Sequence, residues 1–370
     1  MKKIIVWITA DCFTETDYNP SVFKGLCEEY EIHWFVINGK NPYLSQDKYD
    51  IFKDIYNLHI YIRTNTYRFR DIRGIWFWYK LHKEIKSINA DKIYYNMPAI
   101  PSFALISLLM DKEKTIFAAH DGKAQNDSDK FGFIRSLTYK IYYGHAKYVN
   151  MFSKAQTQLM HENFPNVKIH TMVLPLKDFG HSNQKKPTDI IRFLSFGRII
   201  YQKNIDLLIK AGNLLYERGY RNFKISINGK ADDWSIYKNL IKYPEIFECN
   251  PTFVDNNKLL DLFATSHYAV FPYRRVSQSG VLKLAFNYSL PVLVSKTGAF
   301  IEEVEEGING FFFEPSNSKD LVDKLEMLIN NHTQYQKLVE RMNIYIEDQY
   351  STQKIIHYYK EMFEKNESYK

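Results

Sequence analysis

Short apolar runs alternate with amphipathic stretches along most of the chain, and this rhythm starts twice. The first series passes through Ile4 to Ile8, Ile32 to Ile37, Lys92 to Tyr95, Thr115 to Ala119 and Tyr148 to Phe152. A polar stretch, GHSNQKKPTD over 180–189, interrupts it. The rhythm resumes with IRFLSFG and continues through Phe223 to Asn228, Tyr268 to Pro272, Pro291 to Ser295 and Gly310 to Phe313. Parallel strands need a crossover, usually a helix, and the helices then cover both faces of the sheet. The expected fold class is α/β, with two Rossmann-like doubly wound parallel-sheet domains facing a cleft. A chain of 370 residues is long enough for two cores. The polar stretch sets the expected boundary, with residues 1–182 in the first domain and 183–350 in the second. The tail STQKIIHYYKEMFEK carries apolar residues at helical spacing behind Ser351, a good N-cap, so 351–370 is expected to return to the first domain as a helix.

Composition narrows the setting. With 45% hydrophobic and 25% charged residues the chain is ordinary globular material, not a disordered tract. A net charge of +7 suits an anionic partner, whether nucleic acid, membrane surface or phosphorylated substrate. Cys12, Cys27 and Cys249 have neither metal-ligand spacing nor a disulfide framework, so a reducing cytoplasm and no metal are expected. The opening MKKIIVWITA is cut short by Asp11 and reads as a first buried strand instead of a leader. No apolar run approaches the roughly 20 residues of a spanning helix.

Chemistry concentrates in the second half. Ser277-Gln278-Ser279-Gly280 precedes the apolar run VLKLAF, placing small residues where a helix exposes free N–H donors; such a terminus favours an anion, and phosphate fits. Gly197-Arg198 closes the strand IRFLSF, and Lys203 follows just before IDLLIKAGNLL. Both cations thus fall on a loop at the C-terminal edge of a sheet, where doubly wound folds hold ligands. They are read either as solvated loop charges or as a diphosphate clamp of fork and point charge.

FGRIIYQKNIDLLIKA, ISINGK, VFPYRRVSQSGVLKLAFNYSLPVLVSKTGAFIEEVEEGINGFFFEPSN and YSTQKIIHYYKEMF, taken in order over about Phe196 to Phe363, resemble the GT-B glycosyltransferases of the family-4, or group 1, type. The resemblance implies a retaining transferase of hexosyltransferase type, which moves a sugar from a nucleoside diphosphate sugar, UDP or GDP sugar foremost, to a hydroxyl acceptor in surface polysaccharide or glycolipid synthesis. It assigns Arg198 and Lys203 to the donor diphosphate. Gly197 and Gly229 fall on glycine turns, Phe253 and Val254 on the turn that receives the base, and Gln278, Ser279, Gly280 and Val281 on the helix start near the phosphates. Glu302 takes the acidic position after the Gly298 turn. Two family glutamates are replaced by Val276 and Leu284, and Asn204 stands where glycine is usual, a position that asparagine tolerates in left-handed backbone. The missing carboxylates keep a noncatalytic nucleotide-sugar-binding subunit open as an alternative, as does an epimerase on the same scaffold.

In the first half the resemblance rests on strand rhythm and on Ala118 to Asp121, where His120 is the acceptor-side histidine and Asp121 either fixes its tautomer or caps the next helix. Asp11, Thr14, Glu15 and Asp17 cluster after the first strand as turn, cap or acceptor residues. Between Arg63 and Lys86, the cations Arg63, Arg68, Arg70, Arg73, Lys80, Lys83 and Lys86 meet only Asp71 and Glu84, with Trp76, Phe77 and Trp78 among them. Arg68, Arg70, Arg73, Trp76 and Lys80 suit an anionic bilayer or a lipid-linked acceptor. An equally open reading is an amphipathic helix that buries Trp76 and Tyr79. No nucleic-acid reading motif accompanies the patch, so the expected partners are nucleotide sugar, carbohydrate or lipid-linked acceptor, and the inner face of the cell membrane.

Overall fold

The computed structural model describes residues 2–11, 19–42, 46–67, 71–124, 132–176, 180–276 and 279–364. Two compact units emerge, Met1–Pro175 with Tyr350–Lys370, and Leu176–Gln349. The break therefore precedes the polar stretch 180–189, which packs on the second unit: Ser182 Oγ hydrogen-bonds Asp261 at 2.5 Å, and the Lys186 ammonium donates to the Ser266 carbonyl.

In the first unit the order is β1 (Lys3–Ala10), α1 (Pro20–Leu26), β2 (Tyr30–Asn38), β3 (Leu58–Thr64), α2 (Gly74–Ile88), β4 (Lys92–Asn96), α3 (Pro101–Ser107) and β5 (Thr115–Ala119). Then come α4 (Gly132–His145), β6 (Tyr148–Met151), α5 (Lys154–Asn163) and β7 (Lys168–Thr171). The sheet order is β3-β2-β1-β4-β5-β6-β7, every pair parallel. Local chemistry sets the helix starts: Pro20 opens α1, and Asn19 Oδ1 accepts the Val22 N–H at 3.2 Å.

The second unit runs β8 (Ile191–Phe196), α6 (Ile205–Glu217), β9 (Phe223–Asn228), α7 (Ser235–Lys238), β10 (Phe247–Asn250), α8 (Asn256–Thr265) and β11 (Tyr268–Phe271). It continues with α9 (Gly280–Asn287), β12 (Val292–Ser295), α10 (Ala299–Glu303), β13 (Gly310–Phe313), α11 (Ser318–Asn330) and α12 (Tyr335–Tyr350). Its sheet order, β10-β9-β8-β11-β12-β13, is again parallel throughout. Both units are α/β doubly wound sheets, as the apolar rhythm requires.

The last helix, α13 (Thr352–Glu364), belongs to the first unit. Ile355, Tyr359, Met362 and Phe363 are buried in a cluster with Trp7 and Phe23, and the Trp7 and Tyr359 rings lie 4.7 Å apart. Burying each such side chain is worth about 1.5–3 kcal/mol, enough to hold the tail on a sheet distant in sequence.

Candidate active site

In the second sheet the strand order reverses between β8 and β11, and the loops leaving those two strands diverge to leave a crevice, the usual ligand site of an open α/β sheet. Gly197 and Arg198 follow β8, while Tyr273 and Arg274 follow β11. Tight backbone packing shapes this edge. Gly197 has φ +118 and Gly229 φ +140, and a Cβ on Gly229 would stand 2.0 Å from the Gly197 carbonyl oxygen. Only glycine at both turns lets the chain ends of β8 and β9 close on each other. On the other side, a Cβ on Gly197 would come 3.2 Å from Val281 Cγ2, so the first turn of α9 packs directly against this loop. The Ser279 hydroxyl caps α9 by accepting the Leu282 N–H at 3.2 Å. The Leu282 and Lys283 N–H groups thus turn back to Ser279, and the helix start that packs on the Gly197 loop is a terminus of the kind that holds anions.

Lys203 ends a 3₁₀ turn, Tyr201–Lys203, which Asn204 completes in left-handed backbone at φ 55. Its ammonium lies 3.6 Å from the Tyr273 ring centroid and, like Arg198, lines a small recess with Gly197 and Asn228. Burial depresses its pKa to about 8. Arg198 pairs instead with Asp232, Nη2 to Oδ1 at 3.0 Å, both side chains largely exposed. Arg274 holds the turn in place. Its N–H donates to Gln202 O at 2.9 Å, its guanidinium to Tyr201 O and to Asp206 at 3.0 Å, and it stacks on the Tyr201 ring. Sequence reading missed Tyr273, Arg274 and Asp232; the run FPYRR did hold an aromatic and a cation just past a buried strand.

The remaining assigned positions vary in setting. Phe253 is 74% exposed beyond β10, while Val254 beside it is buried. Glu302 is exposed on α10; its neighbour Glu303 pairs with Lys283 of α9, which is only 1% exposed. Burial pulls the Lys283 amine far below its usual pKa, and Glu302 pulls the other way. Leu284 is buried in α9, Val276 receives the Ala299 N–H at 3.1 Å, and Gln278 lies outside the described residues.

The family of glycosyl transferases group 1 matches residues 177–348. The chain is a glycosyltransferase, and its second unit is a group 1 domain. An uncharacterized glycosyltransferase of Haemophilus influenzae is 23% identical over 76% of this chain and 78% of its own. The capsular polysaccharide biosynthesis glycosyltransferase CapM of Staphylococcus aureus is 25% identical over 42% of this chain and 41% of its own. HepE of Anabaena, solved with UDP, shares the GT-B fold at a TM-score of 0.67 and 13% identity, covering 97% of this chain and 98% of that one.

In the first unit of the glycosyltransferase, His120 follows β5. Its Nε2 faces Asn96 Oδ1 of the adjacent strand β4 at 3.1 Å, and its ring stacks on Phe152 at 5.0 Å. Asn96 is fully buried, so it supplies a fixed partner for the imidazole. Asp11 Oδ2 accepts the Gly39 N–H at 3.0 Å, linking the ends of β1 and β2; Thr14, Glu15 and Asp17 lie outside the described residues.

The basic aromatic segment is partly helical, in α2. Trp78, not Trp76, is buried, donating Nε1–H to Ser102 Oγ at 3.2 Å, whereas Trp76 is 57% exposed with Lys80 above its ring at 5.2 Å. The expectation of a buried Trp76 fails because Trp78, Leu81 and Ile85 form the inner stripe, which turns Trp76 outward. Arg73 is held by Asp71 at 2.6 Å, and Arg68 and Arg70 lie outside the described residues. Among the described residues no helix is long and apolar enough to cross a membrane.

Proposed function

We propose that this glycosyltransferase moves a sugar from a nucleoside diphosphate sugar to a hydroxyl of a carbohydrate or lipid-linked acceptor, with retention at the anomeric carbon. The observation that carries the reading is the meeting of Lys203, Arg198 and the first turn of α9 at the switch point of the second sheet. As the bond from the anomeric carbon to the diphosphate breaks, its electron pair leaves with the diphosphate. Fixed cations and helix N–H donors stabilise that charge without reorganising at the moment of reaction. The acceptor oxygen bonds to the anomeric carbon from the departing side, and its proton is released. His120, held by Asn96 and Phe152, orients the acceptor or the donor sugar.

The UDP bound to HepE supports a UDP sugar as the first donor to try, with GDP sugars next. The naming of CapM for capsular polysaccharide biosynthesis supports a surface-polysaccharide or glycolipid role. Peripheral membrane contact is supported by exposed Ile72, Trp76, Leu105, Leu109, Phe133 and Leu137, carried on or beside α3 and the helices α2 and α4 that pack against it, with Lys80 and Lys83 on α2. The test is an assay of nucleoside diphosphate release with UDP and GDP sugars, followed by NMR assignment of the product anomer. Release that depends on acceptor and a retained anomer are expected. An inverted product removes the retaining mechanism, and an isomerised sugar without a new glycosidic bond points to epimerisation.

A further inference from the structure

The first sheet carries a second cluster of chemistry, at the edge opposite His120. His120 follows the C-terminal end of β5, whereas Glu31 and His33 lie near the start of β2 and His59 near the start of β3. Parallel pairing sets His33 beside His59, and the two-residue repeat of a strand puts Glu31 on the same face as His33. Both imidazole Nε2 atoms stand 3.3 Å from Glu31 Oε1. The rings are 4.6 Å apart and tilted by 31°, and all three ligand atoms fall within 4.8 Å of one another.

A distance argument separates two uses of this cluster. The 3.3 Å contact of His33 Nε2 with Glu31 Oε1 is a long hydrogen bond, against the about 2.7–2.9 Å of a charge-assisted imidazole–carboxylate pair. Ligands bound at about 2.0–2.1 Å around a tetrahedral ion are instead separated by about 3.3–3.4 Å along each edge. Two edges of the cluster already have that length. The donor set then narrows the ion: two imidazoles and one carboxylate suit zinc and its neighbours, while calcium and magnesium demand more oxygens.

We propose that Glu31, His33 and His59 form a binding site for a divalent transition-metal ion, zinc foremost, which clamps the edge strand β3 to β2. The ion takes one oxygen and two Nε2 atoms, leaving a fourth position for water. His33 Nδ1 lies 3.1 Å from Tyr61 Oη, one turn of the pleat along β3, so Nδ1–H donates to the phenol while Nε2 faces the ion. Entry is from solvent, through a hollow lined by Glu31, Asp54 and His59, whose Lys53 is engaged by Asp50 at 2.7 Å. None of its residues is among those assigned to sugar transfer, so its loading is read by binding and stability, independent of the donor assignment.

The experiment titrates zinc chloride into tag-free, chelator-stripped full-length protein against a chromophoric chelator, with melting followed in parallel. One zinc per chain is expected, together with a raised Tm. His59→Ala and Glu31→Gln are expected to weaken that uptake by more than about 100-fold and to abolish the zinc-dependent Tm rise, while Tyr61→Phe weakens it about tenfold through loss of the outer partner. His59 is half exposed on an edge strand, and circular dichroism of His59→Ala reports that the fold is retained. His357→Ala, at an exposed position of α13, is expected to bind as the wild type does. Absence of stoichiometric uptake, or equal affinity in wild type and His59→Ala, overturns the proposal.

Discussion

The Lys203 ammonium lies 3.6 Å from the centroid of the Tyr273 ring, tying the loop after β8 to the loop after β11. Burial lowers its pKa from 10.5 to about 8. Between those values the unfolded chain binds more protons than the folded one, so this residue's contribution to stability rises with pH across the window, and its burial is most costly below pH about 8. A diphosphate beside the ammonium restores the charge and raises the pKa again. Binding of UDP or GDP at about pH 8.5 is therefore expected to take up part of a proton. Calorimetry in two buffers of different ionisation enthalpy measures the uptake, which Lys203→Met should abolish; unchanged uptake in that variant removes Lys203 from the diphosphate.

Arg198 is engaged by Asp232 at 3.0 Å, an exposed pair worth less than about 1 kcal/mol to folding. For phosphate the same carboxylate is a competitor. Asp232→Asn is expected to lower the donor KM a few-fold with Tm nearly unchanged, whereas Arg198→Ala and Lys203→Ala each cut turnover by roughly 100-fold or more. Near-normal turnover in both alanine variants rejects their role.

Gly229 and Gly219 offer a matched comparison. Both have positive φ, +140 and +99, but a Cβ on Gly229 meets the Gly197 carbonyl oxygen at 2.0 Å whereas nothing lies within 4 Å of one on Gly219. Gly219→Ala should cost about 1–2 kcal/mol from backbone strain alone. Gly229→Ala should cost more and also impair donor binding, because the Arg198 loop must move. Denaturant unfolding and donor KM measure both; equal losses in the two variants contradict the close approach.

The exposed face around Trp76 predicts binding to anionic vesicles that weakens with salt. Trp76→Ser with Leu109→Ser is expected to reduce co-sedimentation with phosphatidylglycerol-containing vesicles about tenfold, leaving transfer to a water-soluble acceptor intact. Equal partitioning of variant and wild type argues against membrane contact through this face.

Legibility in the sequence followed burial. The central strands β1, β2, β4, β5, β6, β8, β9, β11 and β12 announce themselves as apolar runs because both of their faces are covered, and the edge strand β13 does so through its aromatic run GFFF. The strands that escaped, β3 (LHIYIRT), β7 (KIHT) and β10 (FECN), all lie at sheet edges and carry half-exposed or polar residues. In the site, the turn residues Gly197 and Gly229 and the cap Ser279 were readable because backbone geometry restricts those positions to few residue types. Tyr273, Arg274 and Asp232 were not, since their roles arise from packing between loops some 30 to 70 residues apart, a relation that strand order creates and local pattern does not contain. The same holds for Asn96, the partner of His120, which comes from a neighbouring strand.

The most direct test of the donor site is a calorimetric comparison of UDP or GDP with the matching nucleoside, in wild type and in the Arg198→Ala/Lys203→Met double variant. The account predicts that the double variant loses at least about 100-fold in diphosphate affinity while nucleoside binding stays within a few-fold of wild type. Equal diphosphate affinity in the two proteins would contradict it.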